Sequence, residues 1–360
     1  MNDKRIVLIM GAGATVADCM RSPERRRPPL DRGFFKMALK THGSQLRPVT
    51  TYMQSHYGID VKKPRHDSLE RVMAVLYTDI FGGPLEKQAF DAFRNLVRAF
   101  LSRLATTTND VRMTSRCRLY RLIAHFLNDG VSPENLTIIT YNQDIQIEKA
   151  LDAVASTSRR SGQRVFAFPL CYRIAIKRGI TAPQSSATPQ FEVGEDSVSG
   201  VALLKLHGSI NWYSAHSRRN PTRAALFDPK RHIGITTRKT IDTAMRLTQE
   251  AGKGTPFTFP IVIPPVVHKS GILQDELQPV WNLAEERLEA ADKVIIFGYS
   301  CPTNDWESAN LIGRALTANT NCREVSVIDP DPAVLLRYVQ LGDLKAVSYF
   351  TSCEAYLGSD

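Results

Sequence analysis

The sequence predicts an α/β protein: a doubly wound parallel sheet with a large helical insertion and no zinc ribbon. Three observations carry that expectation. Apolar runs that end in small or polar residues occur at Arg5–Met10, Asn135–Thr140 and Leu203–His207. Continuous apolar runs of this length suit strands covered on both faces. The last third of the chain alternates strand and helix patterns, and consecutive strand–helix–strand units give right-handed parallel crossovers. Open sheets of this kind bind ligands at the carboxyl ends of their strands.

Composition bounds the rest. The chain has 360 residues, 43% of them hydrophobic, with a formal net charge of +10. That is enough for one large core or two modest ones. The division read here is a single domain over 1–360, with a helical subdomain over 34–130 and an irregular smaller module over 213–270. No apolar run approaches the ~18–20 residues of a membrane span, and the start lacks a signal-peptide pattern. The six cysteines, Cys19, Cys117, Cys171, Cys301, Cys322 and Cys353, are far apart and form no C-x-x-C pair. Neither a metal site nor a disulfide framework is expected, and a reducing cytoplasm fits best. The basic excess is concentrated early, at Arg21, Arg25–Arg27, Arg32, Lys36, Lys62, Lys63 and Arg65. An anionic small ligand or a solvated basic face explains it. No aromatic-basic interleaving supports direct nucleic-acid binding.

Taken in order, Arg5–Met10 is the first strand, and Gly11-Ala-Gly13-Ala-Thr15 leads from it into a helix. Glycines there let backbone approach a phosphate, although Val16 stands where the full G-x-G-x-x-G fingerprint has its third glycine. A tight strand-to-helix turn explains the segment equally well. Residues 21–33 read as a loop rich in proline and arginine. Helical periodicity runs from Phe34 to about Asp129. Asp67-Ser-Leu-Glu70 reads as a capped helix start. Phe90, Phe93, Leu96, Val97 and Phe100 form one apolar stripe, and Leu119, Leu122, Ile123 and Phe126 another. His125 beside the second stripe reads as a packed histidine.

The second strand ends in Tyr141-Asn142-Gln143-Asp144, where Asp144 suits the N-cap of the next helix. A short strand is expected near Val165–Leu170. The third strand delivers His207, Gly208 and Ser209 into a polar-aromatic turn. Phe257–Ile263 is extended. Asp275–Ala291 is a helix with Pro279 in its first turn, where a missing N–H costs little. Then come a strand at Lys293–Phe297 ending in Gly298-Tyr-Ser300, a helix from Glu307, and a strand at Glu324–Ile328 ending in Asp329. A helix over Ala333–Gln340 and a last strand over Ala346–Phe350 follow. Asp305 reads equally as a ligand contact or as the cap of the helix after it.

Five of these segments occur in one order: Gly11-Ala-Gly13-Ala-Thr15, Tyr141-Asn-Gln-Asp144, Leu206-His-Gly-Ser209, Phe297-Gly-Tyr-Ser300 and Ile328-Asp329. As an ordered set they resemble the sirtuin superfamily, with its glycine-rich phosphate loop, Asn-x-Asp motif, His-Gly motif, later Gly-x-Ser segment and ribose-binding group. Within it, Pro28-Pro-Leu-Asp-Arg-Gly-Phe-Phe35, His207-Gly-Ser-Ile-Asn-Trp212 and Gly298-Tyr-Ser-Cys-Pro-Thr-Asn-Asp305 are similar to the prokaryotic branch of NAD+ hydrolases used in defence against phage. The chain departs from the protein deacylases: the four-cysteine zinc module is missing, Gln143 replaces the usual isoleucine, and the lid is an arginine- and proline-rich loop.

The resemblance implies a sirtuin-like Rossmann domain that hydrolyses NAD+ to nicotinamide and ADP-ribose, with NAD+ as substrate and no metal. Nicotinamide leaves a cationic glycoside as a neutral molecule, so no general acid is needed, unlike ordinary glycosides. Asn142 suits the positioning of water or ribose. His207 suits a base near neutral pH. The resemblance assigns Asp144 to the nicotinamide carboxamide. It places NAD+ against Gly11, Ala12, Gly13, Thr15, Asp31, Gly208, Ser209, Gly298, Ser300 and Asp305, with the adenosine ribose on Asp329. An NAD-depleting enzyme needs gating, so a homo-oligomer or a defence partner, such as a translocase-type ATPase or an Argonaute-like protein, is implied by family analogy. The rival functions are an NAD-dependent protein deacylase, a non-catalytic NAD or ADP-ribose sensor, a nucleic-acid binder using the basic loop, and cyclisation in place of hydrolysis.

Overall fold

Nine strands occur among the described residues: β1 (Ile6–Met10), β2 (Leu136–Thr140), β3 (Ala202–Lys205), β4 (Gly208–Ala215), β5 (Ile233–Ile235), β6 (Thr258–Val262), β7 (Lys293–Phe297), β8 (Glu324–Ile328) and β9 (Val347–Phe350). Six form a parallel sheet in the order β3-β2-β1-β7-β8-β9. The computed structural model describes residues 3–19, 30–66, 68–82, 85–110, 113–157, 165, 170–173, 200–215, 233–235, 258–262, 277–302, 305–322, 324–341 and 346–359. Counted within the sheet, the strand order is 3-2-1-4-5-6, the doubly wound arrangement expected from the sequence. All five residues of β1 are buried, as are those of β2. Ile9 pairs with Ile139 on one side and Ile296 on the other. The chain winds one way from β1 to β3 and the other way from β7 to β9. The connections that leave β1 and β7 therefore diverge and open a crevice at their carboxyl ends.

The helices are α1 (Ala12–Cys19), α2 (Phe34–Tyr57), α3 (Leu69–Gly82), α4 (Glu86–Asp110), α5 (Arg118–Asn128), α6 (Gln146–Thr157), α7 (Gln278–Glu289), α8 (Trp306–Ala318), α9 (Ala333–Leu341) and α10 (Cys353–Leu357). Helices α2, α3 and α4 pack on one another. The apolar stripes place Phe93, Leu96, Leu119, Leu122 and Ile123 in a core continuous with the sheet. His125 packs its ring against Phe126 and Tyr356 and is not among the residues that line the cavity described below. Ser68, one residue before α3, caps it by accepting the Arg71 amide at 3.1 Å. No helix among the described residues is long and apolar enough to cross a membrane.

Two local expectations are corrected. The polar-aromatic turn after His207 is instead a strand. Leu206 and His207 make the turn, and β4 begins at Gly208, whose φ of 72° reverses the chain. This strand pairs antiparallel with β5 and β6, and the remainder of 216–257 and 263–276 lies outside the described residues. Near the expected strand at 165–170, residues 166–169 lie outside the described set, and Leu170–Tyr172 is a 3-10 turn.

Candidate active site

The glycines after β1 and β7 interlock. Gly11 N–H donates to the Phe297 carbonyl at 3.1 Å and Gly13 N–H to the Gly298 carbonyl at 2.9 Å. A Cβ on Gly11 would lie 2.5 Å from the Gly298 carbonyl oxygen, and one on Gly298, at φ 61°, would lie 2.2 Å from the Ala14 nitrogen. Their small size therefore lets two backbone turns touch. The Gly13 N–H, expected to face a phosphate, is committed to this contact.

Beside the turn, the segment after β2 is pinned from several directions. Asn142 Nδ2 donates to the Gly11 carbonyl at 2.9 Å and to Thr15 Oγ1 at 3.0 Å. Both partners accept, which fixes the amide orientation and leaves the Asn142 side-chain oxygen as the group it can offer a ligand. The Thr15 hydroxyl in turn donates to Asp144 Oδ2 at 3.1 Å, and Asp144 Oδ1 accepts the Gln146 amide at 2.9 Å ahead of α6. Burial pushes the Asp144 carboxyl above the usual range, and the Lys205 charge opposes that. The Gln143 carbonyl accepts the Ile210 amide at 2.9 Å, and the Asp144 carbonyl accepts Lys205 Nζ. Lys205 also pairs with Glu148 at 2.9 Å, and that same carboxylate oxygen accepts the Tyr172 hydroxyl at 2.7 Å.

His207 is held in its turn by Trp281, whose indole N–H donates to the Leu206 carbonyl at 3.0 Å. The Tyr141 ring meets the imidazole edge-on, with centroids 5.1 Å apart, and stacks on Tyr299 at 3.9 Å. His207 Nε2 lies 3.6 Å from Asp305 Oδ2. Asp305 occupies the N-cap position of α8 without accepting a backbone N–H through its side chain. Its carboxylate takes the Tyr299 hydroxyl at 2.9 Å and the Ser308 hydroxyl at 2.6 Å. Cys301, at φ 46°, bends the loop between Ser300 and Pro302 through a conformation that costs a side-chain-bearing residue energy.

These elements surround a cavity of about 630 Å³, within the range that holds small ligands. Of the residues singled out from the sequence, Ala12, Gly13, Asn142, His207, Gly298 and Ser300 line it, with Asp31, Asp305 and Asp329. Gly11, Thr15, Asp144, Gly208 and Ser209 do not. Thr15 and Ser209 are fully buried and bond inward, Ser209 only weakly to the Gln143 carbonyl at 3.5 Å. Asp31 has a second duty: Oδ1 accepts the Ser68 hydroxyl at 2.9 Å and the Glu70 amide at 2.8 Å, extending the α3 cap. Burial pushes the Asp329 carboxyl up. Tyr141, Tyr299 and Arg337 also line the cavity. Both tyrosines sat inside recognised motifs. Arg337 donates to the Ser300 carbonyl at 2.8 Å; it lies on the predicted helix α9, where no motif marked it as a site residue. From the helical block, Leu69, Glu70 and Phe100 close the far wall. Residues 20–29, with Arg21 and Arg25–Arg27, lie outside the described residues. No group of three or more His, Cys, Asp or Glu side chains poised for a metal occurs among the described residues.

Comparison with solved structures returns Sir2 proteins. One, from work on the mechanism and regulation of Sir2 enzymes, aligns with a TM-score of 0.41 at 11% identity, over 99% of this chain and 90% of that one. A mutant Sir2 homologue in complex with ADP-ribose gives 0.41 at 12% identity, over 99% and 89%. Sir2Tm bound to a propionylated peptide gives 0.39 at 9% identity, over 99% and 92%. No protein-family model matches the chain, and no curated protein matches it.

Chemically, the cavity offers an oriented acceptor (Asn142), an imidazole (His207) and carboxylates that include Asp305 at the histidine and Asp329 at the end of β8. It lies over the point where the strand order reverses.

Proposed function

We propose that the protein is a sirtuin-superfamily enzyme that hydrolyses NAD+ to nicotinamide and ADP-ribose. One observation carries this reading: Asn142 and His207, from motifs after two neighbouring strands, share a cavity with Asp329 from the opposite half of the sheet. A dinucleotide spans a doubly wound sheet in that way, its pyrophosphate over the switch point and one nucleoside on each side. The Ala12–Gly13 turn receives the pyrophosphate, Asp329 accepts from the adenosine ribose hydroxyls, and the nicotinamide riboside lies toward Asn142 and His207.

In the reaction the C1′–N1 bond breaks and its electron pair goes to nicotinamide, which leaves neutral. A water oxygen bonds to C1′, and the water's proton passes to His207 and then to solvent. The Asn142 oxygen orients the water. Holding the water and C1′ in contact removes much of the entropic barrier. Asp144 acts through Thr15, by fixing Asn142. Gating by a homo-oligomer or a defence partner, in an antiphage role, completes the proposal.

The test is nicotinamide release from NAD+ by the purified protein beside Asn142→Ala and His207→Ala. Release that falls at least ~100-fold in both variants, with the fold intact, supports hydrolysis. Release that depends on an added acyl-lysine peptide makes the protein a deacylase. Binding without release, with candidate partners present, makes it a sensor.

A further inference from the structure

We infer that Asp305 is the positioning residue for His207, so that the two work as a carboxylate–imidazole pair. The inference rests on the reading of His207 as the proton acceptor.

The geometry is specific. Asp305 is 5% exposed and His207 7%, and Asp305 Oδ2 lies 3.6 Å from His207 Nε2, within ion-pair reach once the ring is protonated. The carboxylate is not free to swing away. Tyr299 donates to Oδ2 and Ser308 to Oδ1, so both oxygens are held by hydroxyls from either side of the loop. The cap role available to Asp305 is not taken up by its side chain. A helix N-cap therefore does not account for the residue.

Among the described residues, groups from three elements face the imidazole. Tyr141 approaches from the β2 end and Trp281 from α7, and Asp305 comes from the loop before α8. On β3, which leads into the turn, Lys205 directs its ammonium to the Asp144 carbonyl and the Glu148 carboxylate. Among these, Asp305 brings the negative charge to the ring. When His207 takes a proton from water, the imidazolium forms in a buried site where an uncompensated charge is costly. Asp305 offsets that cost and aligns the ring, as the carboxylate partner of a catalytic histidine does in hydrolytic triads.

The experiment has two arms. In the first, the histidine ring protons are titrated by NMR, with His207 assigned by loss of its signal in His207→Gln. Asp305→Asn is expected to make His207 titrate about one pH unit lower, because removing an adjacent opposite charge disfavours the cation. Ser308→Ala, which removes a hydroxyl but keeps the carboxylate, is expected to leave the titration within a few tenths of the wild-type value. In the second arm, Asp305→Asn lowers kcat for nicotinamide release roughly 100-fold with KM within twofold, and shifts the acid limb of the pH–rate profile downward. Asp305→Glu restores part of kcat. An unchanged His207 titration in Asp305→Asn overturns the pairing. So does a raised KM with kcat intact, which would make Asp305 a ligand contact. If the titration shifts but the wild type releases no nicotinamide, the pair stands and the hydrolase reading falls.

Discussion

Asp329 is half-buried at the end of β8, and burial holds its carboxyl above the ordinary range. Its Oδ1 accepts the Asp331 amide at 2.9 Å, which only partly compensates. Because the folded state binds this proton more tightly than the unfolded chain does, the group adds stability as pH falls. The gain accrues between its raised value and the unfolded value of about 3.9, and is lost as pH rises through the raised value. Asp329→Asn is therefore expected to keep or slightly raise Tm at pH 7 and to remove that acid-side gain. If Asp329 receives the adenosine ribose, the same variant raises KM for NAD+ about tenfold, the worth of one charge-assisted hydrogen bond of roughly 1.4 kcal/mol. Thermal melts across pH and steady-state kinetics check the two halves separately. At this scale the sequence brought out residues that meet around one cavity, but not the direction in which each side chain points. Thr15 and Asp144 belong to the recognised motifs, yet they face each other inside the protein. Asn142, bonded to Thr15 on its other side, lines the cavity. A motif records residue type and spacing, and the side of a turn from which a side chain emerges depends on the neighbouring strand.

At the level of elements, the buried Lys205–Glu148 pair joins the end of β3 to α6 and braces the segment that carries Asn142. Both side chains are nearly inaccessible, at 1% and 5%. Lys205→Met leaves Glu148 as a buried, unpaired charge and should cost about 3–5 kcal/mol in urea denaturation. Lys205→Met combined with Glu148→Gln should recover most of it, because neither charge remains. The turn after β7, which packs on the β1–α1 turn, makes a second prediction. Gly298→Ala forces a left-handed residue and drives a methyl into the Ala14 nitrogen. The dihedral strain alone is about 1–2 kcal/mol, so a larger loss of stability, with weakened NAD+ binding, is expected. The parallel strands were legible because a short all-apolar run that stops at a glycine or a polar cluster suits a strand buried on both faces and little else. Strand β4 was not, because Gly208-Ser-Ile-Asn211 mixes small and polar residues, and its pairing with β5 and β6 makes it a strand. Helix α10 was missed because five residues are too few to show a helical period; it is fixed by Tyr356 packing on Phe126 and Phe350.

Across the whole molecule, the cavity is walled by strand ends on one side and by α3 and α4 on the other. A ligand that fills it should tie the helical block to the sheet. NAD+ at one hundred times its Kd should stabilise the fold by about 2.7 kcal/mol, seen as a raised Tm. His207→Gln should keep that rise while losing turnover, which separates binding from chemistry. The winding order has one more result, for the chain as it is made. Strand β1 stands between β2 and β7, and Arg5 bonds to Asp292 across 287 positions of sequence. Tyr299, Asp305, Asp329 and Arg337 all arrive after residue 290. A polypeptide still on the ribosome, or one whose translation stops before β7, holds Asn142 and His207 but only half a pocket. On the proposed reading, such a chain would gain the groups needed for turnover only once β7, β8 and α9 had been added.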